Sequence, residues 1–214
     1  MNKQLTILAF VAACSGASAF GLSDIVNWTG TGNQKAALVV QWNDGGTPTS
    51  LVWGYRYSGS KTAADMLQDV VASDPFLFGY FGTVGQFGLP VYGLGYDSDH
   101  SGVSGAGYTH GGSAPDDAVA IGAGDRWQVG WLSNGYWDLM GTANGTNAGT
   151  WASLQTGVSQ SPLEHESWRA LTFASAAGGW VAPTPTGLTA APVPEPASLL
   201  VLALGAITLR RRSR

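Results

Sequence analysis

Between residues 51 and 57 the large side chains Leu51, Trp53, Tyr55 and Tyr57 alternate with Val52, Gly54 and Arg56. A period of two sets an aromatic row on one face of a half-buried strand. Residues 36–42 read as the strand before it, and Asn43-Asp44-Gly45-Gly46-Thr47-Pro48 supplies turn chemistry, which predicts a hairpin with a long loop. Trp127, Val129 and Trp131 repeat the alternation, and Asn134-Gly135 marks a turn ahead of residues 136–140, which predicts a second hairpin. One segment departs from this rhythm. Ala63, Met66, Leu67, Val70 and Val71 recur at helical spacing and predict an amphipathic helix over about 62–73. Thr62 is its expected N-cap, Asp65 favours the positive end of the helix dipole, and Asp74-Pro75 ends it. Residues 76–96 interleave aromatics with glycines, as short twisted strands do. Residues 97–124 and 142–150 are rich in small and polar residues and read as loops. The expected fold is mainly β, an antiparallel β-sandwich or a sheet carrying one amphipathic helix.

Composition sharpens this picture. Charged residues make only 11% of the 214, as many as the aromatics, and nine are tryptophan. Such a chain suits an aromatic-rich folded body, not a charged tail. The formal charge of −4 conceals an asymmetry. Within residues 20–193 five cations (Lys35, Arg56, Lys61, Arg126 and Arg169) face thirteen acids, a balance of −8, and the ends supply the remaining +4. An acidic body without clustered lysine or arginine cannot neutralise a run of phosphates, so no nucleic-acid partner is expected.

The two ends carry targeting patterns. Lys3 precedes an apolar stretch over 5–13, and Ala17-Ser18-Ala19 offers the small residues signal peptidase accepts, so residues 1–19 read as a secretory signal helix cleaved after Ala19. A rival reading is a lipobox, Val11-Ala12-Ala13-Cys14, in which Cys14 is lipidated and retained. Cleavage after Ala19 removes the one cysteine, and no disulfide then staples the body. At the other end Pro194-Glu195-Pro196 precedes an apolar stretch over 197–209, followed by Arg210, Arg211 and Arg212. Thirteen helical residues reach about 20 Å, short of a hydrocarbon core of roughly 30 Å, so this transmembrane helix is a marginal anchor. The arginines stay cytoplasmic by the positive-inside rule while the amino-terminal signal sends the body outward.

In this order of motif, short apolar helix and arginine cluster, the segment 193–214 resembles the sorting signal of PEP-CTERM proteins. The resemblance implies an exosortase as processing partner, Pro194, Glu195 and Pro196 as its recognition element, and Arg210–Arg212 as the stop-transfer cluster. It further implies a life in bacteria that make exopolysaccharide and form biofilms, with an inner-membrane-anchored precursor and a cell-surface or matrix product. Val52-Trp53-Gly54-Tyr55-Arg56 followed by Thr62-Ala63-Ala64-Asp65-Met66-Leu67 also resembles ectodomains of other PEP-CTERM proteins, with no activity attached. The expected organisation is signal peptide 1–19, secreted β-rich domain 20–181, Pro/Thr/Ala linker 182–192 and sorting signal 193–214.

The chemistry of the body is less marked. Asp97, Asp99 and His100, with Asp116 and Asp117, could surround a Ca²⁺ ion with oxygens, yet no EF-hand spacing is present, and solvated loop acids are the ordinary alternative. No other cofactor is expected. His100, His110 and His165 with Glu164 and Glu166 lack paired metal-ligand spacing. Gly102-Val103-Ser104-Gly105-Ala106 fails the nucleophile-elbow pattern at its last position. Asp44, Asp125, Asp138 and Glu164 are unranked carboxylates for glycoside hydrolysis. With no catalytic motif, the body is expected not to be an enzyme. Indole faces stack on sugars, and Trp151 and Trp180, beside small-residue loops, are the ligand-contact candidates, whereas Trp53, Trp127 and Trp131 are assigned to the core. The favoured body function is structural or adhesive. The alternative is a glycan-binding module with exopolysaccharide as partner, and a secreted hydrolase comes third.

Overall fold

A computed structural model of the chain describes residues 20–47, 49–100, 107–131, 133–142 and 151–194. The expected hairpin is its centre. Strands β2 (Gln34–Gln41) and β3 (Ser50–Tyr57) pair antiparallel, with Leu38 opposite Trp53 and Val40 opposite Leu51, so the aromatic row of β3 and the even positions of β2 share one face. β11 (Ser167–Ser175) runs parallel to β2, β9 (Gly135–Thr142) lies antiparallel on β11, and the short β10 (Trp151–Ser153) forms that edge. At the other edge β1 (Trp28–Gly30) and β12 (Leu188–Ala190) both run parallel to β3, β12 beside residues 50–52 and β1 beside residues 54–56.

The fold is mainly β, as expected, but its seven-stranded sheet is mixed, not antiparallel. The three parallel pairs all bring in a strand from far along the chain, which hairpin reasoning does not reach.

Helix α1 (Ala63–Ser73) forms where the stripe predicts it. The Thr62 hydroxyl accepts from the Asp65 N–H at 3.3 Å, while the Asp65 carboxylate accepts from the Thr62 N–H at 2.7 Å. Burial works against that carboxylate, but the two Thr62 donors and the Lys61 ammonium outweigh it and hold its pKa below the usual aspartate value. Asp74 ends the helix and is itself buried. Its carboxylate accepts from the indole N–H of Trp53 (2.7 Å), the amide of Asn27 (3.1 Å) and the N–H of Phe76 (2.9 Å), so a buried charge is matched by three donors.

Met66, Leu67 and Val70 of α1 pack on the face bearing Leu38, Leu51, Trp53 and Tyr55. A small antiparallel sheet, β4 (Leu77–Phe81), β5 (Val91–Tyr96) and β8 (Arg126–Val129), extends this cover through Leu94 and Tyr96. The opposite face, with Ala37, Val39, Val52, Met140, Trp168 and Ala170, is closed by Phe20, Leu22 and Ile25 from one end of the body and by Ala182 and Leu188 from the other. Gly54 opens this face to Trp28: a Cβ at that position would lie 2.3 Å from the indole ring, so only glycine lets the ring lie against β3.

Three expectations are corrected. The second hairpin does not form: β8 belongs to the small sheet and β9 to the main one, because Asp116 accepts from the N–H groups of Trp131, Ser133 and Asn134 and turns the chain between them. Part of the stretch 97–124 is not loop, since β6 (Tyr108–His110) and β7 (Ala118–Ala120) pair, with Tyr108 stacked on Trp127 at 5.2 Å. Residues 182–192 are a strap, not a free linker. Gln41 accepts from the Thr186 N–H (2.7 Å), Ser50 donates to the Thr186 carbonyl (2.8 Å), β12 joins β3, and Ala191 is fully buried. Among the described residues no helix is long and apolar enough to cross a membrane. The expected signal helix over 1–19, with Ala17 and Ala19, and the expected short helix over 197–209 lie outside the described residues.

Candidate functional site

Near the sheet edge formed by β9 and the short β10, the connection between β4 and β5 reaches across and leaves an open cleft of about 760 Å³. Gly85 and Gly88 exchange two backbone hydrogen bonds (3.1 and 3.0 Å), which leaves Gln86 and Phe87 as a two-residue turn with the Phe87 ring 79% exposed at its tip. Gly88 has φ +88° and lies against Ser159, whose hydroxyl accepts from the Leu89 N–H at 2.9 Å, so the loop is tied to residues 158–160. Tyr136, Trp137, Asp138 and Leu139 of β9 form the opposite wall. Trp131, 48% exposed, meets Tyr92 edge-on at 5.1 Å and adds a fourth ring.

The lining pairs these rings with short polar groups, Ser153, Gln155, Thr156 and Gln160, and among the described residues it contains neither lysine nor arginine. Asp138 is the one acid among the lining residues. Burial raises its pKa, against the pull of the Ser153 hydroxyl and the Leu139 N–H. Rings that offer flat apolar faces beside amides and hydroxyls suit a ligand with both C–H faces and hydroxyl edges.

The predicted ligand tryptophans fall outside the lining. Trp180 is 46% exposed and stacks on Tyr136 at 6.3 Å, so it prolongs the aromatic surface beyond the cleft. Trp151, in β10, lies half-buried against the core cluster of Met140 and Trp168. Of the tryptophans assigned to the core, Trp53 is fully buried and Trp127 is held between Phe78 and Tyr108, but Trp131 is at the cleft. The alternation that placed Trp131 inside ends one turn too late, because β8 stops at Val129. The signal that could have found the cleft is Phe87 isolated between glycines, which a core residue rarely is.

The loop acids divide. Asp97 and Asp99 meet Asp125, not Asp116 or Asp117, with carboxylate oxygens within 4.8 Å of one another. Burial raises the Asp125 pKa, and the Asp97 and Asp99 charges raise it further. The N–H groups of Gly122 and Ser98 come near enough to offset this in part without completing a hydrogen bond. Among the described residues this is the one group of three ligating side chains so placed, and a hard cation is the ligand its oxygens suit. Asp116 instead accepts from the N–H groups of Trp131, Ser133 and Asn134, and Asp117 accepts from the Ala114 N–H. Asp44 pairs with Arg126, whose guanidinium also covers Trp42. The histidines are separate: His100 stacks on Phe76, His110 meets Tyr80 edge-on, and His165 accepts from the Lys35 N–H. Ser104 and Glu195, Pro196 and Arg210–Arg212 lie outside the described residues.

Pro194, the first residue of the expected recognition element, lies two residues past the end of the strap at Pro192, whose carbonyl accepts from the Asn27 amide at 2.9 Å. No curated protein and no solved structure matches the chain. Residues 192–214 match the family described as the PEP-CTERM protein-sorting motif. The chain thus carries a PEP-CTERM sorting motif over residues 192–214, which implies export, processing at the cell envelope and an exosortase as processing partner.

Proposed function

We propose that the exported body is an adhesive module that holds a neutral glycan of the extracellular matrix in the cleft between the Phe87 loop and β9. The observation that carries this reading is the exposure of Phe87 and Trp131 on either side of a cleft whose polar lining is amide and hydroxyl. Large exposed aromatics gathered at one cleft form the kind of apolar patch that a ligand covers. The lack of a lysine or arginine in the lining, within a body of charge −8, disfavours an anionic ligand. A single lining carboxylate, Asp138, favours retention over cleavage, since glycoside hydrolysis in its common form uses a pair. Export into a matrix supplies the setting in which such a module would act.

Titrating the exported protein with cello-oligosaccharides and with the host's secreted polysaccharide, while following tryptophan fluorescence, tests this. Saturable quenching that Trp131→Ala abolishes and Trp180→Ala only weakens is the expected result. Absence of any response to both sugars would leave a purely structural body, and release of shortened sugars would make it a hydrolase.

A further inference from the structure

The sorting motif begins where the body has not yet let go of the chain. β12 spends the backbone of residues 188–190 on β3, the Ala191 N–H donates to the Val52 carbonyl at 2.9 Å, and Asn27 holds the Pro192 carbonyl. Asn27 is itself fixed by the buried Asp74, which also receives Trp53, so one hydrogen-bond chain links the strap to the centre of the core. Glu195 follows Pro192 by only three residues, a reach of at most about 10 Å. An enzyme that clasps an extended peptide needs several consecutive free N–H and C=O groups on it, and the pairing of β12 with β3, the Ala191 N–H and the Pro192 carbonyl commit part of the backbone before Val193 to the body.

We infer that β3 and the processing enzyme compete for the same backbone, so that release of the strap from β3 and Asn27 precedes processing at the Pro-Glu-Pro element. The strap is suited to this. It is a three-residue edge strand whose Leu188 packs on the smaller core, and Ala191 is the one strap residue that reaches the core under α1. Asn27 then acts as a positioning residue that sets how often the motif is free. After processing the remaining strap re-pairs with β3, which returns the new end of the body to the sheet edge beside β1.

The inference rests on exosortase processing of the 192–214 segment and is independent of the glycan reading. The test follows the full chain by pulse-chase in the exporting host, with and without the exosortase, reading precursor and product by mass. Asn27→Ala removes a hydrogen bond of about 1 kcal/mol, which corresponds to roughly fivefold more released strap, and processing is expected to quicken by a similar factor. A six-residue Gly/Ser insertion between Pro192 and Val193 is expected to quicken it without altering the body. A disulfide between Ser50→Cys and Leu188→Cys, paired positions in a chain whose one native cysteine, Cys14, precedes the body, is expected to slow processing at least tenfold, with recovery on reduction. Equal rates for the locked, inserted and wild-type chains would overturn the inference while leaving the sorting role in place. An exosortase-independent wild type would instead overturn the sorting role itself.

Discussion

The two faces of the seven-stranded sheet are closed in different ways. One carries Leu38, Leu51, Trp53 and Tyr55 beneath a capped helix and a second sheet, all drawn from the middle of the chain. The other carries Ala37, Val39, Val52 and Ala170 beneath segments from the two ends of the body, joined through Asn27 and the Pro192 carbonyl. Trp168 and Met140 are the large side chains of this second face, whose buried cluster is smaller than that of the first, and hydrophobic stabilisation scales with the area buried. The difference teaches that one sheet can combine a core closed by mid-chain elements with a face closed by the two ends of the body, and in this protein that second face adjoins the sorting motif.

The largest effect is expected where the first face is breached. Trp53→Ala removes a fully buried indole and strips the Asp74 carboxylate of a donor, and a loss of about 3–5 kcal/mol in chemical denaturation is the expected outcome. A change below about 1 kcal/mol would mean that this face is not the dominant core.

On the second face, Gly54→Ala drives a methyl into the Trp28 ring and should cost about 1–3 kcal/mol. Hydrogen exchange sharpens the contrast. In the wild type the amides paired between β12 and β3 should exchange well ahead of those between β2 and β11, and Gly54→Ala should widen that gap.

The smallest effect is at the helix that covers the first face. Asp65→Asn weakens the capping box and should cost about 0.5–1 kcal/mol at neutral pH. The folded-state pKa of Asp65 lies below its unfolded value, so its stabilisation is present above the ordinary aspartate pKa of about 3.9 and disappears as pH falls through the folded value. The difference in Tm between wild type and variant should therefore close below about pH 4. A gap that persists in acid would place the effect in packing, not in the cap.

Residues close in sequence settled what depends on short-range geometry. The aromatic alternation of β3, the helix over Ala63–Ser73 with its Thr62 cap, and the hairpin through Gly45-Gly46 each follow from neighbours two to four positions apart. The sorting segment was equally legible, because motif, apolar run and arginines follow one another in a linear order along the sequence. Tertiary structure alone decided the parallel pairings of β1, β11 and β12 with their partners, the meeting of Asp125 with Asp97 and Asp99, and the conversion of an expected linker into a strap. It also decided that Trp131 faces a cleft while Trp151 faces the core. Local periodicity states which side of a strand a residue occupies, but which segment arrives to cover that side is settled by contacts made across more than a hundred residues of chain.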